Sequence, residues 1–265
     1  MSPCVTVGSQ SVDGSTMIIQ GVTLNGVTVV DTQYLPLAGS LQFNGTSQFL
    51  SLSPGFALST GAYTIEGWFY NNANYTSQRA LVAPQHPSGA SGALSLFTND
   101  AQSFTLDAYG GLGVRTYSFP SNTLQVNKWQ YIILNRNSDQ RETMWVGTFV
   151  NTSSLVTCSR ATSCANGSSI VGGTQINTLN YSGVCNNIGK FYGGYWPGFI
   201  TNLRATVGTA VYDSTSSTVT APSAPLPSLA NTKYLMLGAA VTTDTSGTQT
   251  VTNNGTVTQT ATVPF

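Results

Sequence analysis

Apolar and polar residues alternate with period two along most of this chain. TIEGWFYN (64–71) sets Ile65, Gly67 and Phe69 against Glu66, Trp68 and Tyr70, the pattern of a half-buried β-strand. LQFNGTSQFLSL (41–52) places Asn44-Gly45 between two short alternating runs. Both residues tolerate positive φ, so the segment reads as a hairpin. Short strands follow at ALSLFTND, SFTLDAYG and VRTYSF, with Gly or Asn-Asp turns between them. KWQYIILNRN (128–137) reads as a long apolar strand, SDQRE as a polar turn, and TMWVGTFVN as the returning partner. KYLMLGAA and TQTVTNNGTVTQT supply two or three final strands, with Asn254-Gly255 as another hairpin turn. No window holds helical periodicity beyond one turn. Strands recurring about every 8–12 residues between such turns predict an all-β sandwich or barrel.

Two stretches break the rhythm. Residues 151–187 are rich in Ser, Gly, Asn and Cys and read as a long insertion between strands, with at most one short hairpin. Loops of this length are either binding loops or decorated linkers, and the sequence leaves both open. SSTVTAPSAPLPS (216–228) reads as a Pro/Ser-rich connection from one edge of the sandwich to the next strand.

Three ordered motifs resemble the laminin-G-like (concanavalin A-like) jelly-roll family. SLQFNGTSQFLSLSPGFALSTGAYTIEGWFY is similar to its opening, in which an F-(D/N)-G turn leads to T-I-E-x-W. Phe43, Asn44, Gly45, Thr64, Ile65, Glu66 and Trp68 carry that match. NKWQYIILNRN followed by TMWVGTFVN resembles the central strand pair through Trp129, Ile132, Arg136, Met144, Trp145 and Val146. IGKFYGGYWPGFITNLRATVGTAVY resembles the closing strand through Gly189, Trp196, Gly198, Ile200, Leu203 and Arg204. The resemblance implies a two-sheet antiparallel jelly-roll sandwich over residues 39–265, and such domains also occur in structural proteins of large DNA viruses and phages. Where the family carries two acids this chain has Thr201-Asn202, so an ion pair to Arg204 is expected to be missing. Residues 1–38 fall outside the match and read as an N-terminal arm, with GVTLNGVTVV (21–30) a hairpin around Asn25-Gly26.

Composition narrows the partners. A chain of 265 residues suits one large sandwich and buries about 70–75% of its unfolded surface, so it needs no staples. Charged residues are 7% of the chain, against about 25% in an ordinary soluble domain. Nine basic side chains balance nine acidic ones, and the basic ones stand singly. Nucleic-acid binding, which needs clustered Lys and Arg, is therefore not expected. No apolar run approaches the roughly 18–20 residues of a membrane span. MSPCVTVGSQ has neither a basic start nor an apolar core, so no secretory signal is expected in it.

Candidate chemistry is sparse. Glucanases on this fold need paired acids flanking the scissile bond, but the two glutamates, Glu66 and Glu142, are isolated in sequence. His86, the single histidine, stands in QHPSG with no nucleophile elbow around it, so no enzyme is expected. Calcium is the metal that the resemblance implies. Asp100 and Asp107 flank a turn and are the best pair for it, although Asp100 equally suits a turn closed on its own backbone. Cys158 and Cys164 could close a small loop as a disulfide, or remain buried free thiols. KFYGGYW (190–196) offers Tyr192 and Tyr195 between glycines as a ligand platform, while Trp196, like Trp68, Trp129 and Trp145, reads as packing. N-x-(S/T) sequons occur at Asn44, Asn74, Asn151, Asn166, Asn180 and Asn254.

The first functional expectation is a non-enzymatic virion structural or decoration protein (minor capsid, fibre or knob component). It would contact other capsid or fibre proteins, or further copies of itself, on the virion surface. The alternative is an extracellular, lectin-like module that binds a cell-surface glycan.

Overall fold

The structure is a computed structural model. It describes residues 23–24, 27–28, 37–72, 79–83, 94–98, 103–108, 113–119, 123, 125–150, 155–165, 170–171, 174–191 and 193–264. Every regular element among them is a strand, and no helix is long and apolar enough to cross a membrane.

The strands run in chain order. β1 (Thr23–Leu24) and β2 (Val27–Thr28) form the hairpin expected around Asn25-Gly26. Then come β3 (Ser40–Asn44), β4 (Phe49–Phe56), β5 (Tyr63–Asn71), β6 (Arg79–Ala83), β7 (Leu94–Thr98), β8 (Ser103–Ala108) and β9 (Gly113–Ser118). The central pair is β10 (Trp129–Arg136) and β11 (Arg141–Thr148). It is followed by β12 (Thr157–Arg160), β13 (Ser163–Ala165), β14 (Ile170–Val171), β15 (Thr174–Ile176) and β16 (Cys185–Ile188). The last are β17 (Lys190–Phe191), β18 (Gly194–Tyr195), β19 (Pro197–Val207), β20 (Thr218–Thr220), β21 (Thr232–Met236), β22 (Thr250–Asn254) and β23 (Thr258–Thr260).

Two antiparallel sheets are built from these. One has the order β14-β15-β11-β10-β5-β19-β3-β23, with β12, β20 and β21 attached beside it. The other has the order β13-β9-β8-β7-β6-β16-β4-β22. Their inner faces meet in one core. Ile65, Ile132, Met144 and Ile200 of the first sheet pack with Leu50, Val82, Leu96 and Tyr117 of the second. This is the jelly-roll sandwich that the pattern implies.

Asn44-Gly45 and Asn254-Gly255 are not hairpins. β3 pairs within the first sheet and β4 within the second, so Asn44-Gly45 turns the chain from sheet to sheet. Asn254-Gly255 does the same between β22 and β23. Asn44 Oδ1 accepts from the amides of Thr46, Ser47 and Gln48 at 3.0, 3.0 and 3.2 Å, which closes the first corner. Gly255 has φ 74°, and a Cβ there would lie 2.8 Å from Ser47 O, so the corners lie against one another. Gln48 Nε2 joins them by donating to Thr256 O at 2.6 Å. The local residue pattern of an Asn-Gly turn is the same whether the partner strand is adjacent or in the other sheet.

β5 is not half-buried. Its inward residues Tyr63, Ile65 and Phe69 join the main core, while Trp68 on its outer face joins a second apolar cluster with Trp129, Tyr131, Ile133, Trp145, Cys158 and Ala221. Residues 208–231 lie across this outer face as a strap. Trp145 Nε1 donates to Ser216 O at 3.1 Å, Thr143 Oγ1 to Ser214 O at 2.9 Å, and Leu226 N to Asn202 Oδ1 at 2.8 Å.

The 151–187 segment is threaded into both sheets. β12 and β15 pair with β11 in the first sheet, and β13 pairs with β9 in the second. Cys158 is a buried free thiol, so the disulfide alternative with Cys164 gives way. The reason is topological: Cys158 stands on β12 of one sheet, between β11 and β20, and Cys164 on β13 of the other. Burial pushes the Cys158 thiol up, and the Glu66 charge adds to this.

Candidate functional site

Acid chemistry comes first, because enzymes on this fold depend on it. Glu66 and Glu142 are 1% and 0% exposed. They point to opposite faces of one sheet: Glu66 pairs across the strands with Ile133 of the outer cluster, and Glu142 with Arg136, opposite Tyr63 of the main core. Glu66 Oε1 accepts from Arg204 Nε at 3.0 Å and from Arg204 Nη2 at 2.5 Å. Its Oε2 accepts from the hydroxyls of Tyr131 and Tyr212 at 2.6 and 2.5 Å. The ion pair expected to be missing is therefore present, with Glu66 as its acid. Glu142 accepts from Tyr63, Tyr117 and Asn177. Arg136 lies over the Tyr63 and Tyr181 rings and donates to the backbone oxygens of Ser59, Gly61 and Leu179. Two saturated carboxylates with a sheet between them cannot flank one glycosidic bond.

Of the calcium candidates, one lies among the described residues. Asp107 sits within β8, paired with Ser95 and Val114. Asp100 lies outside the described residues, as do His86 and Tyr192. No group of three His, Cys, Asp or Glu able to hold a metal occurs among the described residues. Asp244 organises a loop by accepting from the amides of Leu235, Ser246, Thr248 and Gln249 at 2.8–3.0 Å.

The hairpin of β17 and β18 is where the structure gathers unusual side chains. Its register places Lys190 opposite Tyr195 and Phe191 opposite Gly194, so adjacent residues point to opposite faces. Phe191 is buried on Ala80 and Ala83 of β6, outside the main core. The hairpin thus lies on the outer face of the second sheet. Its base is fixed on both sides. Gly189 N donates to Leu81 O at 3.0 Å, and Trp196 N donates to Gly189 O at 2.9 Å. Trp196 itself is core, edge-on to Phe69 at 6.1 Å, as its reading as packing requires.

On the other side of the hairpin, Lys190 Nζ stands 4.1 Å from the centre of the Phe49 ring and 5.4 Å from that of Tyr195. The two rings are 6.2 Å apart and inclined at 55°. All three residues are half-buried. Polar groups continue from this cluster along the sheet. Asn254 pairs across the strands with Phe49, and Thr252 with Ser51. Asn254 Nδ2 donates to Ser51 Oγ at 2.6 Å. The Asn44 and Asn254 corners border the same end.

Tyr195, singled out in the sequence, lies half-buried in this hairpin, and its neighbours were not foreseeable. Phe49 is far away in the chain, and Lys190 read as one of nine scattered basic residues. The available signal was the alternation in KFYGGYW, which puts Lys190 and Tyr195 on one face once the glycines are read as the turn.

No family model matches the chain, and no curated protein matches it in sequence. Solved structures do match. A proposed carbohydrate binding protein from Bacteroides ovatus superposes with a TM-score of 0.55 at 14% identity, over 85% of this chain and 60% of that one. Domains LG4-5 of the mouse laminin alpha1 chain give 0.43 at 15% identity, over 77% of this chain and 48% of that one. A heptameric SAP-like pentraxin from Limulus polyphemus gives 0.40 at 12% identity, over 67% and 77%. The chain spans about 60% of the first of these and about half of the second. At such identities the likeness is one of fold, and the fold is the antiparallel jelly-roll sandwich.

Proposed function

We propose that this chain is a non-enzymatic, lectin-like module that binds a glycan at the Lys190–Phe49–Tyr195 rim. The observation that carries this reading is a fixed pair of half-exposed aromatic rings beside a polar strip of Ser51, Thr252 and Asn254. Aromatic rings offer large apolar area at low entropy cost, and neighbouring hydroxyls and amides supply orienting hydrogen bonds. That combination fits a pyranose, which has an apolar C–H face and a polar rim. The carbohydrate binding ascribed to the Bacteroides ovatus neighbour supports the class, not the sugar. The virion-surface reading, with capsid or fibre partners, rests on composition and gains no support from the fold comparison.

The test is a glycan array probed with the wild-type chain and with Tyr195→Ala. Specific binding lost in the variant, with an unchanged melting temperature, supports the proposal. An array without hits, or binding indifferent to Tyr195→Ala, overturns it.

A further inference from the structure

Lys190 adds a charge to this rim, and no acidic counterpart to it is found among the described residues. Neither Arg141 with Asp139 nor Arg204 with Glu66, the ion pairs seen among the described residues, involves it. The ammonium of Lys190 has ring faces as its neighbours instead. A ring face attracts a cation but leaves the donors that point away from it without an anionic acceptor. Packing against Phe49 and Tyr195 also restricts a flexible side chain, so part of the ordering cost of a bound ligand is met before binding.

The surroundings decide what such a cation selects. Ser51, Thr252, Asn254 and the Asn44 corner are neutral hydrogen-bonding groups. None of them repels an anion, and none competes with one for Lys190. Charge is scarce in the whole chain, at nine basic and nine acidic residues in 265. A single cation in a neutral polar setting matches one anionic group. It does not match a dense polyanion, which would need the basic cluster that the sequence lacks.

Resting on the glycan reading above, we infer that the rim selects saccharides bearing one anionic group, a carboxylate or a sulfate ester, placed next to a pyranose stacked on Tyr195. Lys190 reads the anion, and Tyr195 with Phe49 reads the sugar face.

The experiment uses an array on which each backbone is present in neutral, uronate and 6-O-sulfate forms, followed by calorimetry on the best backbone. Wild type is expected to bind one of the anionic forms about five-fold tighter than the neutral one, the scale of a partly exposed ion pair. Raising salt from 50 to 500 mM should remove most of that preference, about one Debye-screened contact. Lys190→Gln should abolish the preference, so that the variant binds the anionic and neutral forms of the backbone alike. Lys190→Arg should keep the preference. Equal binding of neutral and anionic forms by wild type overturns the inference while leaving the glycan reading standing, and so does a preference that survives Lys190→Gln. No binding to any form overturns both. The uronate and sulfate arms identify which anion is read.

Discussion

Arg204 and Glu66 stand directly opposite one another on adjacent strands, both almost wholly buried, beneath a strap from residues 208–231. The guanidinium binds one carboxylate oxygen, and two tyrosine hydroxyls bind the other. Arg204 Nη1 also donates to Pro227 O at 2.9 Å, so the same pair holds the strap at both of its ends, through Tyr212 and Pro227.

Removing one partner therefore strands the other. Arg204→Met leaves a buried carboxylate without its cation and should cost about 3–5 kcal/mol in urea denaturation. Pairing it with Glu66→Leu removes the stranded charge and should recover a large share of that loss. A double variant no more stable than Arg204→Met would contradict this account.

Alkaline pH should unfold the protein through its tyrosines. Burial, followed by the nearby Glu142 charge at Tyr63 and the Glu66 charge at Tyr131 and Tyr212, raises these three phenols well above their ordinary range. Tyr234 is raised by burial and then by Asp244. A group whose folded pKa is raised gives stability that is complete below its unfolded pKa and is lost as pH climbs toward the folded value. Stability from this source should hold up to about pH 10 and then fall by about 1.4 kcal/mol per pH unit for each tyrosine. Denaturation midpoints between pH 8 and 11.5, with tyrosinate absorbance at 295 nm appearing at the unfolding step, check this.

The rim depends on its anchor. Phe191→Ala removes the ring that seats the β17–β18 hairpin on Ala80 and Ala83. The expected cost is about 3 kcal/mol. Glycan binding should weaken along with Tyr195→Ala, even though Phe191 faces away from the ligand. Retained binding at full affinity would mean that the hairpin is held by its backbone bonds alone.

Cys158 and Cys185 should resist modification in the native state, since both side chains are buried. Iodoacetamide at pH 8 should label them only in denaturant, read by peptide mass spectrometry. Native labelling of Cys158 would show that the strap opens, because Cys158 lies in the cluster that the strap covers.

Much of the strand pattern was legible in the residues because a strand's period of two does not depend on its partner. Ile65 and Phe69 face the core as the alternation required, and Trp196 packs as expected. The Asn-Gly sites marked turns correctly but not which strands they join, since a corner between sheets needs the same positive-φ residue as a hairpin. Glu66 looked isolated because its partner, Arg204, is 138 residues away. Phe49 could not be joined to Lys190 and Tyr195 for the same reason: its proximity to them is created by the order of strands in the second sheet.

The sequence by itself determined an all-β chain with its turns, its low charge and the aromatic residues of its strands, because these follow from local periodicity and composition. Only the tertiary structure decided which sheet each turn serves, that the outer face of β5 is covered, that both glutamates are buried on opposite sides of a sheet, and that Lys190 meets two rings at one rim. Those outcomes depend on contacts between residues far apart in the chain, and local patterning carries no record of them.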